Sequence, residues 1–101
     1  MFPYNQGKDY LQKKETKKAL QSFLNARNEY VKEENFHRAL TCTQNVVMYY
    51  QDTNNGEAAE KILLETIAAI PQKTTEQLST HASLQDNLGY TYANVLNHPE
   101  K

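Results

Sequence analysis

Three asparagines, Asn5, Asn45 and Asn87, occupy the same place in a pattern that recurs along the chain. Each is followed five residues later by a tyrosine, and these are Tyr10, Tyr50 and Tyr92. A side-chain amide both donates and accepts hydrogen bonds, so a row of equivalent amides can bind the backbone of an extended peptide. The alternative is that each amide faces water or bonds to a neighbouring helix.

Residues around these asparagines extend the candidate binding surface. On a helix, side chains three or four positions further along lie on the same face as the asparagine. The residues immediately before two of the asparagines are further candidates. The candidate binding residues are therefore Asn5, Lys8, Gln12, Gln44, Asn45, Met48, Asp86, Asn87 and Tyr90, with Asn94 beyond them. Together they form a mixed polar and aromatic surface of little net charge.

The histidines and the single cysteine lack the arrangement of a catalytic or metal site. His37, His81 and His98 share no metal-ligand spacing with Cys42 or the acidic residues, and each is expected at the surface or a helix end. Cys42 has neither a nearby histidine motif nor a glycine-rich elbow, and the glycines are isolated, so no phosphate loop exists. We therefore expect a non-catalytic protein without cofactor or metal.

Composition argues against nucleic acid and membrane as partners. The 101 residues carry a net charge of -1 with a pI near 6.3, and no apolar run is long enough to span a membrane. The basic cluster from Lys13 to Lys18 is interpreted as a solvated helix face, and a salt-dependent nucleic-acid contact there is the remote alternative. A lone cysteine and the lack of a signal-peptide core indicate an intracellular, cytoplasmic setting.

Helices must position the candidate residues, because the apolar spacing is helical almost throughout. The tyrosines of the recurring pattern are 40 and then 42 residues apart, which is typical of stacked helical repeats. Capping and breaking residues such as Asn35, the 52–56 loop and Pro71 divide the chain. The predicted helices span about 3–14, 16–33, 36–51, 57–70 and 75–96.

Small and aromatic residues in these helices stand at a characteristic spacing. They are Gly7, Tyr10, Ala19, Phe23 and Ala26 in the first repeat, Tyr50, Ala59 and Pro71 in the second, and Leu88, Gly89 and Tyr92 in the third. In this pattern the chain resembles the tetratricopeptide repeat, a helix pair of about 34 residues. The second repeat departs from the family, with Val47 in place of glycine, Leu63 in place of the aromatic residue and Thr66 in place of a small one.

The resemblance implies an all-α fold, an α-α superhelix of antiparallel hairpins with about five helices. It implies one domain over 1–101, with repeat 1 at about 3–33, repeat 2 at about 36–71 and a partial repeat or capping helix at about 75–101. In this family the first helices of successive repeats line a concave groove that holds an extended peptide, so the implied function is protein or peptide binding. The basic clamp that holds an acidic tail in chaperone-binding members is not reproduced.

A scaffold or homo-oligomerisation role is the second expectation. The fifth helix is expected to expose an apolar face that a partner or a second copy covers. That face comprises Leu84, Leu88, Tyr92, Val95 and Leu96. On this reading the chain is a segment of a longer array, or it associates through its end helices; a peptide groove alone leaves it monomeric.

Overall fold

This computed structural model describes residues 16–95, of which 86% are helical and none is in a strand. The helices are α1 (Thr16–Lys32), α2 (Phe36–Asp52), α3 (Gly56–Ala69) and α4 (Thr75–Tyr90), and a π-helical turn, Thr91–Val95, continues α4. The all-α prediction is confirmed. Helices α1, α2 and α3 begin and end within about one residue of their predicted positions. Helix α4 begins as predicted but ends at Tyr90, and only with the π-helical turn does the helical segment reach Val95, near the predicted end at 96. The predicted first helix, with Asn5, Lys8 and Gln12, lies outside the described residues.

Two three-residue turns of the same design fold α1 back onto α2 and α2 back onto α3. In each turn a residue with positive φ, Glu34 (58°) or Asn54 (59°), precedes a capping asparagine. The backbone N–H of each capping asparagine, Asn35 or Asn55, donates to the carbonyl five residues back, at 2.8 and 2.7 Å. Its side-chain oxygen then accepts from the third backbone N–H of the next helix. Helix ends and turns are therefore specified together by short polar segments.

The turn between α3 and α4 is closed by side chains instead. Pro71 follows α3, and Thr74 and Gln77 form a capping box at the start of α4. The side-chain oxygen of Gln77 accepts from the backbone N–H of Lys73 at 2.8 Å and of Thr74 at 3.1 Å. Gln77 is 6% exposed, so this amide is part of the packed structure.

Helix α2 is the centre of the described fold, because it packs against α1, α3 and α4, while α3 also packs against α4 and the π-helical turn. The largest fully buried apolar side chains come from all four helices. They are Phe23, Val46, Val47, Leu63 and Leu84. A single apolar cluster therefore runs from α1 to α4.

The apolar face of α4 that the sequence predicts to be exposed packs inward instead. Leu84 (0% exposed) and Leu88 (7%) are buried against the core, so the prediction that they form an open apolar face is wrong. Tyr92 is half-buried and packs against the same cluster, and Leu96 lies outside the described residues. The reason is that α4 meets both α2 and α3, so Leu84 and Leu88 are needed for packing within the chain.

The position of His81 also differs from the prediction, which placed it at the surface or at a helix end. It is 7% exposed, and its Nε2 lies 2.6 Å from the carbonyl oxygen of Ile70. Because Ile70 begins the turn after α3, its carbonyl has no helical partner of its own. The imidazole therefore satisfies a buried backbone group between α3 and α4 and is not available as a ligand.

Candidate functional site

The outward face of α2 carries the central candidate residues. His37, Thr41, Gln44, Asn45 and Met48 follow helical spacing, and none of them is buried. Met48 is 57% exposed, although it is a large apolar side chain. This face therefore combines amides, a hydroxyl and an exposed thioether on one solvent-accessible strip.

Asn45 is half-buried and partly satisfied by its own helix. Its Nδ2 donates to the carbonyl oxygen of Thr41 at 2.9 Å, and the Thr41 hydroxyl donates to the carbonyl oxygen of His37 at 3.2 Å. Among the residues the structure describes, no group donates to the Asn45 Oδ1. The amide is thus oriented by its helix, and the group that remains for a ligand is an acceptor suited to a peptide N–H.

Asn87 occupies the equivalent place on α4 and differs from Asn45. Its Nδ2 is buried and has no hydrogen-bond partner within the described part of the chain. One turn later, the Thr91 hydroxyl accepts from the Gln51 amide of α2 at 3.0 Å, which places this side of α4 toward α2. An unpaired buried donor costs about 1–3 kcal/mol, so Asn87 is a polar group that the fold itself leaves unsatisfied.

The remaining α4 candidates lie on exposed surface. Tyr90 is 55% exposed, Asp86 is exposed, and the Asn94 amide donates to the carbonyl oxygen of Tyr90 at 3.2 Å. Because α2 and α4 pack directly, the six candidates that lie in the described α-helices come from two adjacent helices. They are Gln44, Asn45, Met48, Asp86, Asn87 and Tyr90.

A buried polar cluster that the sequence did not reveal connects α1 with α3. The Arg27 side chain is only 11% exposed, and its Nη1 donates to the Thr66 hydroxyl at 3.0 Å and lies 3.9 Å from Glu65 Oε1. The Thr66 hydroxyl is in turn 3.4 Å from that of Thr43 on α2. Burial lowers the pKa of Arg27, and the Glu65 charge opposes that shift. The cluster holds three helices in register and presents no open reactive group.

Cys42 borders this cluster and is fully buried, as a small core residue is expected to be. Burial raises the pKa of its thiol to about 11, while the nearby Arg27 charge acts in the opposite direction. Since the thiolate is the nucleophile, the folded protein keeps this sulfur in its unreactive form at neutral pH. Among the described residues, no group of three or more His, Cys, Asp or Glu side chains could hold a metal ion.

Cys42 is therefore expected to react slowly with Ellman's reagent until the chain unfolds. A pKa raised from 9.0 to about 11 lowers the thiolate fraction at pH 8 about 100-fold, apart from the steric effect of burial. The same shift makes stability decline as pH rises from about 9 to 11, because the unfolded thiol ionises first. The thiol reactivity is measured by labelling at pH 8 with and without urea, with glutathione as the reference thiol. If Cys42 of the native protein is labelled as fast as glutathione, the expected slow reaction is contradicted.

A cavity of about 320 Å³ opens between the end of α1 and the start of α2. Its described lining residues are Tyr30, His37, Arg38 and Thr41. The Arg38 guanidinium lies over the Tyr30 ring, 5.9 Å from the ring centroid, which is within the range of a cation–π contact. Thr41 belongs to both this cavity and the strip that carries Asn45.

No described helix is both long and apolar enough to cross a membrane. Comparison of the chain with protein-family models, with curated proteins and with solved structures finds no match.

Proposed function

We propose that the chain is a tetratricopeptide-like helical repeat domain that binds an extended peptide along the neighbouring parts of α2 and α4 that carry Asn45 and Asn87. The observation that carries this proposal is that each of the two equivalent side-chain amides has a hydrogen-bonding group without a described partner. Asn45 leaves an acceptor without a described donor, and Asn87 leaves a buried donor without a described acceptor. An extended peptide supplies both kinds of partner from its backbone. Binding would require the Asn87 side chain to turn outward.

The packing order of the helices supports the same proposal. In a stack of helix hairpins, each repeat contacts only its neighbours. A first helix then meets its own partner and the helices of the adjoining repeats. Helix α2 contacts α1, α3 and α4, and α3 contacts α4. This order agrees with α2 and α3 as one hairpin, with α1 belonging to the repeat before and α4 to the repeat after.

The proposed experiment selects a ligand and then tests Asn45. A displayed library of random linear 12-residue peptides is panned against the protein, and a selected synthetic peptide is titrated by calorimetry. Asn45→Ala is expected to weaken binding about tenfold, because one buried peptide hydrogen bond contributes about 1–1.5 kcal/mol. Failure to select any peptide contradicts the proposal.

Asn25→Ala is the matched control for Asn45→Ala. Asn25 is exposed on α1 and, like Asn45, hydrogen-bonds within its own helix, accepting from Gln21 at 2.9 Å. Its replacement is expected to change affinity by less than about twofold, the scale of surface substitutions remote from a site. Equal losses for the two variants would show that Asn45 has no direct contact with the peptide.

Self-association through α4 is the second candidate function, and one surface favours it. Leu78 is 51% exposed, Ala82 and Gln85 follow it on the same exposed face, and a Cβ added at Gly89 would meet nothing within 4 Å. A helix glycine with open space above it lowers helix stability without any gain inside the chain. Light scattering over a hundredfold concentration range separates the two functions: a constant mass near 11.7 kDa favours the peptide groove, and a concentration-dependent mass favours self-association.

A further inference from the structure

We propose that Asn55 is a site of spontaneous covalent modification, and that the folded turn between α2 and α3 keeps it intact until that turn opens. The modification is deamidation, in which the side-chain amide is lost and aspartate or isoaspartate is left in its place. The site lies in the turn and not on the peptide surface, so it is a property of the chain beyond the proposed function.

Asn55 is followed by Gly56, and this is the only Asn-Gly pair in the sequence. Deamidation begins when the backbone nitrogen of the following residue attacks the Cγ atom of the asparagine. A side chain on the following residue hinders this approach, whereas glycine has no Cβ. Asn55 is also exposed, so water reaches its amide. The pair therefore has the residue types that this reaction needs, at the surface of the protein.

The reaction consumes water and no other reagent. The Gly56 nitrogen forms a bond to Asn55 Cγ and the bond from Cγ to Nδ2 breaks, so ammonia leaves with the proton of the Gly56 N–H and a cyclic succinimide remains. Water then opens the ring. Attack at Cγ restores the original backbone and gives aspartate. Attack at the Asn55 backbone carbonyl carbon breaks the original peptide bond and gives isoaspartate, in which the chain runs through the side chain.

The turn between α1 and α2 supplies an internal comparison. Asn35 has φ -96° and ψ 74°, and Asn55 has φ -109° and ψ 69°. Each side-chain oxygen accepts from a backbone N–H of the following helix, at 3.4 and 3.3 Å. The residue after Asn35 is Phe36, which has a large side chain. The two sites thus share their backbone geometry and differ in the residue whose nitrogen must attack.

The folded turn holds Asn55 in a conformation that cannot react. At ψ 69° the Gly56 nitrogen lies on the opposite side of the Cα–C bond from the Asn55 Cβ, so it is turned away from the side chain that it must attack. Rotation about this bond turns the Asn55 carbonyl away from the Ala59 N–H, which donates to it at 3.2 Å, and the side chain must also leave the Ala58 N–H. Deamidation of the folded protein therefore requires local opening of the turn.

The two products have different consequences for α3. Aspartate accepts the same capping hydrogen bond and adds negative charge at the start of the helix, where it is favourable. Isoaspartate inserts a methylene group into the backbone, so the bonds that residue 55 makes to Tyr50 and Ala59 no longer fit in one turn. Isoaspartate is therefore expected to loosen the α2–α3 hairpin, while aspartate leaves it folded.

The test incubates the protein in mildly alkaline buffer, with and without urea, and follows deamidation by tryptic peptide mapping. Trypsin cuts after Lys32, Arg38 and Lys61, so Asn35 and Asn55 fall in different peptides. Fragment ions locate the new acid, and electron-transfer dissociation separates aspartate from isoaspartate. In urea, Asn55 is expected to deamidate several times faster than Asn35. In buffer, Asn55 is expected to react at least about tenfold more slowly than in urea, which corresponds to an opening free energy of about 1.4 kcal/mol or more.

Two substitutions at Asn54 test the role of the turn, because this residue has a φ of 59° and immediately precedes the site. A positive φ suits glycine and strains alanine. Asn54→Ala is expected to deamidate at Asn55 at least about threefold faster in buffer than Asn54→Gly, and the two variants should react equally in urea. Gly56→Ala is expected to slow the reaction in urea several-fold, a comparison that does not depend on folding.

Deamidation in urea that is no faster at Asn55 than at Asn35, or that is unchanged by Gly56→Ala, overturns the assignment of the site. Equal rates at Asn55 in buffer and in urea, or in the two Asn54 variants in buffer, overturn the proposed protection by the turn.

Discussion

Replacing Leu84 with alanine is expected to lower the free energy of unfolding by about 2–5 kcal/mol, the range for a fully buried leucine. Leu84 is 0% exposed and belongs to the cluster that joins α4 to the other helices. Truncating it removes buried apolar surface and leaves a cavity where α4 meets its neighbours. Because small domains are stable by only about 5–15 kcal/mol, this is a large fraction of the total. Urea unfolding followed by circular dichroism gives the measurement.

Leu78→Ala is the matched control, on the same helix and with the same change of atoms. Leu78 is 51% exposed and lies on the outward face of α4. Its truncation is expected to change the unfolding free energy by less than about 0.5 kcal/mol, as is usual for surface positions. A larger loss at Leu78 than at Leu84 would mean that α4 packs through the opposite face.

Val47→Gly and Gly89→Ala are expected to have opposite effects on the free energy of unfolding, although each position lies two residues after an asparagine of the recurring pattern, Asn45 or Asn87. Val47 is 1% exposed and lies in the core, whereas a Cβ at Gly89 meets open space. The first change should destabilise by about 2–4 kcal/mol, through lost burial and the low helix propensity of glycine. The second should stabilise by about 0.5–1 kcal/mol, since alanine favours the helix.

The same urea titration decides the Val47 and Gly89 prediction. A destabilising Gly89→Ala substitution would show that another helix covers α4 at this point in solution. If the substitution also lowers the solution mass, that helix belongs to a second copy of the chain. Unchanged stability in Val47→Gly would contradict the placement of Val47 in the core.

Local signals in the sequence were sufficient for the four described helices and for their ends, except that α4 ends at Tyr90 and continues as a π-helical turn. Asn35 was predicted as a cap and accepts from the Arg38 N–H, and the loop around Asn55 and the stop at Pro71 lie where predicted. These features depend on neighbouring residues, so a pattern within a few positions specifies them. The assignment to the tetratricopeptide family remains a prediction.

Contacts between distant residues could not be read in the same way. Arg27 and Thr66 are 39 positions apart, and nothing in either local segment indicates that they hydrogen-bond. Leu84 and His81 were misplaced for a related reason, because which side of α4 is buried depends on the simultaneous contact with α2 and α3. Likewise, the amide of Asn45 was expected to offer both groups to a ligand, but Thr41 accepts from its donor.

The most direct test of the account is a map of backbone NMR shifts on the ¹⁵N-labelled protein as a selected peptide is added. The account predicts that the largest shifts occur at Gln44, Asn45 and Met48 on α2 and at Asn87 and Tyr90 on α4. Lys61 and Leu64, exposed on α3, should move little. Shifts centred on α3, or on Leu78 and Gly89 of the α4 surface considered for self-association, would contradict the proposed groove.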